Sequence, residues 1–347
     1  MSKILVTGGA GYIGSHTVVD LAAHGFEPII ADNLVNSGKW VLGGLEQIMG
    51  RRPAFHEVDL CNWEATAKLF EQHTDIEGII HFAALKAVGE STEQPLRYFH
   101  NNINSLLNVM RAMEEFDVPH LIFSSSCSVY GNSKALPVTE ETPTEEAESP
   151  YARTKQIGEQ ILTDWTRRHQ GKNAVLLRYF NPAGAHESGL IGEAPTYNVT
   201  NLVPVITETA AGKRAQVTVF GDDYATRDGS CIRDYIHVMD VANAHTRCLQ
   251  YLIANKNESN CEVFNVGIGA GVTVLEAVRA FEKVADQQLN YTIGPRRAGD
   301  VVAIYANYDK AAEKLGWEPQ YDIEDIMRSA WQWENVKADR VEQPVDS

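Results

Sequence analysis

Short apolar runs alternate with longer stretches of helical period through the first half of this 347-residue chain. The runs at residues 3–7, 28–31, 54–58, 78–82, 120–124 and 174–179 predict strands. Between them, residues 12–24, 39–49, 63–73, 95–116 and 151–169 carry the spacing of amphipathic helices. Leu121, Ile122 and Phe123 are apolar at successive positions, as a strand covered on both faces requires. Strands alternating with helices make βαβ units and a parallel sheet, so the fold class is α/β. On such sheets ligands lie beyond the carboxyl ends of the strands, which is where informative residues should be sought.

After residue 180 the pattern changes. Loops rich in Gly, Pro and Asn lead into shorter mixed elements. The expected division is a nucleotide-binding domain over residues 1–180 and a smaller mixed α/β ligand domain over 181–347. A late apolar run at 262–266 is a candidate to rejoin the first sheet. Residues 323–335 read as a helix, and the polar tail at 336–347 as a fraying terminus.

Behind the first predicted strand, Gly8, Gly11 and Gly14 sit three apart and open the first predicted helix. The first glycine makes a tight turn, the second lets backbone approach a pyrophosphate, and the third lets helix pack on strand. The helix N-terminus then offers free N–H groups to the anion. Asp32 ends the next apolar run, near the ~20-residue interval at which a carboxylate meets the adenosine ribose. The sheet is therefore expected to be a Rossmann-like, doubly wound one that holds a dinucleotide. Asn33 and Leu34 follow Asp32 with no nearby Arg, which favours NAD over NADP because the carboxylate would repel a 2′-phosphate.

The formal net charge of −16 argues against nucleic acid as a partner, while local arginines remain able to hold an anionic small molecule. Five scattered cysteines without a C-x-x-C pair predict a reducing, cytoplasmic setting with neither disulfide frame nor zinc site. No apolar stretch approaches the ~18 residues of a membrane span, so no membrane partner is expected.

A second signal is Tyr151 and Lys155, four apart behind Pro150 at a helix start that Ser149 would cap. A Lys ammonium and a nicotinamide cation both favour tyrosinate, so the pair fits a base working near neutral pH. Chance alone supplies roughly half a Tyr-x-x-x-Lys match in a chain of this composition, and Tyr130 with Lys134 is a second one. That second pair spans Gly131-Asn132-Ser133, a turn sequence, and reads as accidental. Ser126 closes the serine run after the strand at 120–124, where a hydroxyl could share hydrogen bonds with substrate and tyrosine.

The glycine turn, Ser126, Tyr151 and Lys155 together resemble the extended short-chain dehydrogenase/reductases. VTGGAGYIGSHT, DNLVNS, IIHFAALKAVGES, SSSCSVYG, SPYARTK, LRYFNPAGAH, VFGDDY, RDYIHVMD and PRRAGD, in this order and spacing, are similar to the UDP-glucose 4-epimerase family over about residues 3–335. The resemblance implies reversible C4 epimerisation of UDP-galactose and UDP-glucose with tightly bound NAD, in a homodimer. Tyr151 would be the base for the sugar 4-hydroxyl, with Ser126 sharing the hydrogen bond and Lys155 holding the nicotinamide ribose.

It also implies the binding residues. Gly8, Gly11, Tyr12, Ile13, Gly14, Asp32, Asn33, Asn36 and Ser37 would grip the dinucleotide, and Asp59 and Leu60 would meet its adenine. Phe82, Ala83, Lys86 and Asn101 would line its phosphates and ribose, with Tyr179 and Phe180 beside the nicotinamide. Asn181, Asn201, Leu202, Phe220, Arg233, Arg297 and Asp300 would hold the UDP moiety, with Lys86, Ser126 and Tyr151 also reaching the substrate. Read without the resemblance, Phe82 and Phe220 are equally core residues, and Arg233 and Arg297 surface ion pairs.

Ile304 stands where family members restricted to the plain hexoses tend to carry Tyr and members accepting N-acetylhexosamines a smaller residue, so the UDP-N-acetylhexosamine pair is a further candidate substrate. Cys127, beside Ser126, reads as a buried thiol rather than a reactive one. Two other readings compete. A nucleotide-sugar dehydratase would need an acidic pair after the strand serine, where this chain has Cys127 and Ser128. A non-catalytic NAD-binding regulator would have no use for Ser126, Tyr151 and Lys155 together.

Overall fold

The computed structural model describes residues 1–195, 200–297 and 300–341. In the first half the elements run β1 (Lys3–Thr7), α1 (Tyr12–Ala23), β2 (Glu27–Asp32), α2 (Trp40–Met49), β3 (Ala54–Glu57), α3 (Trp63–Gln72) and β4 (Ile76–His81). There follow α4 (Val88–Glu93), α5 (Pro95–Glu115), β5 (His120–Ser124), α6 (Pro150–Arg168) and β6 (Asn173–Tyr179), with a 3₁₀ turn over Cys127–Tyr130. The second half holds β7 (Asn181–Ala183), α7 (Leu202–Ala210), β8 (Val217–Phe220), β9 (Ile232–Arg233), β10 (Tyr235–His237), α8 (Val238–Ile253) and β11 (Cys261–Val266). It closes with β12 (Val272–Thr273), α9 (Val274–Ala285), β13 (Tyr291–Gly294), β14 (Ala303–Ile304), α10 (Asp309–Leu315) and α11 (Ile323–Val341).

Seven parallel strands form one sheet in the order β11-β6-β5-β4-β1-β2-β3. The alternation of side chains along each strand fills both faces. Ile4, Val6, Ile30, Ile80, Ile122, Val175 and Leu177 pack towards α1 and α8. Leu5, Ile29, Ile79, Leu121, Phe123 and Leu176 pack towards α3, α5 and α6. This is the doubly wound Rossmann-like sheet. Strand order reverses between β1 and β4, and the residues following those two strands border a crevice there.

The late run joins the sheet, since β11 pairs with β6 along Cys261–Val266. The second half therefore leaves the sheet after β6 and returns to it. A separate core gathers Val203 and Ile206 of α7, Val217 of β8, Phe281 of α9 and Ile326 and Met327 of α11.

The last helix runs further than its sequence pattern. It continues to Val341, past the expected fraying point, because Lys337 reaches back to the buried Glu334 carboxylate at 2.8 Å and to Glu208 at 3.7 Å. Residues 342–347 of that expected tail lie outside the described residues. No helix among the described residues is long and apolar enough to cross a membrane.

Asp234 ties the second half to the end of β11. Its carboxylate, fully buried, accepts hydrogen bonds from the backbone of Ile268 at 2.8 Å, Gly269 at 3.2 Å and Ala306 at 3.0 Å. Burial pushes this carboxyl up, and the three donors oppose the shift. Asp234→Ala should cost about 3 kcal/mol or more, because buried donors are left unpaired at ~1–3 kcal/mol each. Urea melts of the two proteins measure this, and a loss under ~1 kcal/mol would mean that water takes over the three N–H groups.

Candidate functional site

The glycine turn follows β1 directly. Gly8 adopts φ +68°, which favours glycine, and a Cβ there would stand 2.8 Å from the Ala83 backbone nitrogen after β4. Gly11 caps α1, and a Cβ on Gly14 would fall 2.3 Å from the Gly8 carbonyl oxygen. The turn is thus pressed tight against the residues after β4, with the α1 N-terminus facing the crevice.

Asp32, at the end of β2, braces this turn. Its carboxylate accepts from Ala10 N at 3.0 Å, Leu34 N at 2.8 Å and Ser37 Oγ at 2.9 Å. Burial pushes the carboxyl up while those donors pull it back. The carboxylate so held lines the crevice.

The candidate reactive groups meet on the other side of the crevice. Ser149 caps α6 by accepting from Ala152 N at 3.2 Å, and Pro150 takes the first turn. Tyr151 and Lys155 follow one turn apart. Lys155 is buried; its Nζ donates to the Ser124 carbonyl at 2.5 Å and lies 5.0 Å from the Phe123 ring centre and 5.8 Å from that of Tyr151. Burial lowers the ammonium's pKa to about 8, and the Glu159 carboxylate one turn on opposes that fall. Ser124 Oγ hydrogen-bonds the Tyr179 hydroxyl, whose pKa burial raises to about 12. Ser126 Oγ caps the 3₁₀ turn by accepting from Ser128 N at 3.2 Å. Burial pushes the adjacent Cys127 thiol up to about 12, which suits an inert thiol.

The second half supplies the opposite wall. Arg233 donates from Nη1 to the carbonyls of Ile232 and Val301, both at 2.8 Å, and from Nη2 to Asp300 at 3.2 Å. The Arg297 guanidinium lies over the Phe220 ring at 4.4 Å, with Asp300 at 3.9 Å. Asn181 Oδ1 is buried without a hydrogen-bond partner among the described residues, in a side chain that lines the cleft. Such an orphan acceptor fits a ligand's donor.

These residues border one cleft of about 1260 Å³, larger than the ~300–1,000 Å³ of an ordinary small-molecule pocket. Every sequence-predicted site residue lines it except Ile304. Ile304 packs instead in a small apolar cluster with Val129, Tyr130, Val138, Phe180 and Ala306. It stands behind the wall, touching a lining residue rather than the cleft. The Tyr130–Lys134 match is dispersed, with Tyr130 buried in the 3₁₀ turn and Lys134 in an exposed loop.

Glu193 and Ser124 are among the lining residues that the sequence reading did not name as site residues. The Glu193 carboxylate pairs with Lys86 Nζ at 3.1 Å and accepts from Asn201 Nδ2 at 3.4 Å. It lies in an irregular loop whose sequence has no period to mark it. Ser124 was visible in the serine run, but nothing in that run says which hydroxyl faces which partner. The donors and shape present fit a dinucleotide: a glycine turn at a helix N-terminus, a braced carboxylate after β2 and a buried ammonium beyond β5.

The sheet order, the glycine turn and the Tyr151–Lys155 helix define an extended short-chain dehydrogenase/reductase, and the family model described as GDP-mannose 4,6 dehydratase matches residues 5–330. Within that class the chain belongs to the UDP-glucose 4-epimerase family. It is 45% identical to the UDP-glucose 4-epimerase of Dictyostelium discoideum over 96% of each chain. It resembles the crystal structure of the Stenotrophomonas maltophila UDP-glucose-4-epimerase with bound NAD and formylated UDP-arabinopyranose, with TM-score 0.94 and 43% identity over 98% of this chain and 99% of that one. A UDP-Glc/GlcNAc 4-epimerase from Campylobacter jejuni is similar as well, with TM-score 0.84 and 38% identity over 96% and 99% of the two chains.

The Lys155 shift has a consequence for stability. Its folded pKa is lowered, so between about 8 and the ordinary lysine range the unfolded chain binds more protons than the folded one. That contribution therefore makes stability rise with pH across this window. Below about pH 8 the ammonium is charged in both states and its desolvation opposes folding in full. Denaturant melts of the wild type and Lys155→Met should show the wild type gaining on the variant between pH 8 and 10. A constant difference would contradict the buried-ammonium assignment.

Proposed function

We propose that this chain interconverts UDP-galactose and UDP-glucose by inverting C4 of the hexose. The observation that carries the reading is that Tyr151, Lys155 and Ser126 line one cleft together with the glycine turn, Asp32, Arg233 and Arg297. The glycine turn with Asp32 and Ser37 would hold NAD on one side, and Arg233, Arg297 and Asn181 would hold the UDP-sugar on the other. NAD⁺, when bound, supplies the acceptor that takes the C4 hydrogen as hydride and returns it to the opposite face of the 4-keto sugar.

The chain's own residues do the rest. Tyr151 takes the 4-hydroxyl proton and gives it back, a role worth ~10²–10⁴-fold in rate. Lys155 keeps an ammonium beside that phenol, favouring its ionised form. Ser126 orients the sugar hydroxyl. Affinity is concentrated on the UDP moiety, whose phosphates suit arginine's forked donors, so the hexose is free to turn over between the two hydride steps.

The dehydratase reading is disfavoured by Cys127 and Ser128, which follow Ser126 where that chemistry needs carboxylates. Our reading extends to a homodimer. Leu96 is 82% exposed and Leu107 43% exposed, on one stripe of α5, and a second copy would cover them. A reducing cytoplasmic setting agrees with the five free cysteines.

Purified protein given UDP-galactose without added dinucleotide should form UDP-glucose. Tyr151→Phe should keep its dinucleotide and lose about 10²–10⁴-fold in kcat. Undiminished turnover in that variant would remove Tyr151 as the base. We also propose turnover of the UDP-N-acetylhexosamine pair, because Ile304 backs Phe180 and pairs in register with Arg233, both of which line the cleft. Ile304→Tyr should lower N-acetyl turnover more than hexose turnover, and an equal fall would reject the size argument.

A further inference from the structure

We propose that the buried Glu159–Arg178 ion pair positions the reactive constellation, fixing the serine segment after β5 and holding a counter-charge behind Lys155. The proposal rests on the epimerase reading for its consequence in turnover, though not for its physical basis.

Arg178 grips Glu159 in a bidentate fashion, Nε to Oε1 at 2.8 Å and Nη2 to Oε2 at 2.6 Å, with side chains only 7% and 9% exposed. Ser125 Oγ, fully buried, donates to the same Glu159 Oε1 at 2.5 Å. Ser125 stands between two residues that matter. The Ser124 carbonyl receives the Lys155 ammonium, and Ser126 faces the cleft. One carboxylate therefore anchors the backbone from which both project.

Arg178 extends the hold. Its Nη1 donates to the Tyr130 hydroxyl at 3.0 Å, and that hydroxyl donates to Asn265 Oδ1 at 2.6 Å. Tyr130 ends the turn that Ser126 begins, and Arg178 precedes Tyr179, whose hydroxyl meets Ser124 Oγ. The pair thus joins α6, β5, β6 and the 3₁₀ turn. Stability alone is a poor reason for such a pair, since well-packed apolar residues of similar volume do as well or better.

The charge also has a target. Glu159 lies one helical turn after Lys155, and its carboxylate favours the protonated form of that amine against burial. Near Lys155 lie also the Ser124 carbonyl on β5, Tyr151 on its own helix and His81 on β4, and through Ser124 the Tyr179 hydroxyl on β6, which the Lys86 ammonium also faces. Burial lowers His81 to about 3 and raises Tyr179 to about 12, so both are neutral at pH 7. Arg178, beyond Glu159, partly offsets the carboxylate.

The test compares Glu159→Gln with the double variant Glu159→Gln plus Arg178→Met. The readouts are the Lys155 side-chain titration by NMR in the purified protein with its resident dinucleotide and the basic limb of kcat with UDP-galactose. Glu159→Gln should move both to lower pH by about one unit, a tenfold change in proton affinity. Removing Arg178 as well should return them part of the way, because an uncompensated guanidinium no longer repels the ammonium. A folded Glu159→Gln with both midpoints in place overturns the proposal, as does a double variant displaced further than the single one.

Should Glu159→Gln fail to fold, Ser125→Ala keeps both charges and removes only the tether. It should lower kcat about fivefold or more with KM within twofold, and an unchanged kcat overturns the positioning role. A wild type without UDP-galactose turnover would strike the epimerase reading instead, while the Lys155 titrations still decide on the ion pair.

Discussion

Parallel strands bring their carboxyl ends to one edge of a sheet. Between β1 and β4 the helices that follow depart to opposite faces, α1 onto the side of Val6 and Ile80, α5 onto the side of Leu5 and Ile79. Nothing can fill the gap between those departures without crossing it, so the sheet leaves a crevice there. The glycine turn follows one strand and Phe82 the other, which is why a Cβ on Gly8 would press on the Ala83 backbone. Ser124 and Tyr179 end the next two strands along the same edge and complete the floor with Lys155. Each candidate reactive group sits at a strand's end, or is fixed to one, because that edge faces the crevice.

Charge is distributed to the same plan. A chain of net charge −16 repels anions at long range, and salt screens that repulsion within ~8–10 Å. Arginine at the cleft is therefore decisive only when held in place. Arg233 is held by two carbonyls and Asp300, so little of its rotamer freedom remains for a ligand to remove. Arg178 is turned inward on Glu159 and serves the framework rather than a ligand.

Legibility followed locality. The strand at Lys3–Thr7, the Ser149 cap, the Pro150 start and the Asp32 position are written in consecutive residues, and each appears where its pattern put it. Long-range partners leave no such mark. Glu193 enters the cleft from an irregular loop, and its ion pair with Lys86 spans 107 positions. The tail beyond 335 reads as polar, yet it stays helical to Val341 because Glu334 is buried beneath Lys213 and Lys337. Ile304 was legible as a position of interest but not as a residue behind the wall, since one residue's register in β14 decides which face it takes.

The two ends of the cleft differ in how much order they already possess. Asp32 spends two acceptor contacts on its own loop and one on the glycine turn, so the turn that would meet a dinucleotide is set before any ligand arrives. At the far end Arg233 is held as well, but Arg297 is 51% exposed and rests on Phe220, with Asp300 at the outer limit of an ion pair. A preset site loses little entropy on binding and holds its ligand long; a loosely built one must be ordered by each ligand and releases it more readily. That asymmetry suits a resident cofactor and an exchanging substrate. It also matches the chemistry, because a cofactor regenerated within each turnover has no reason to leave, whereas the sugar must enter, turn over and depart.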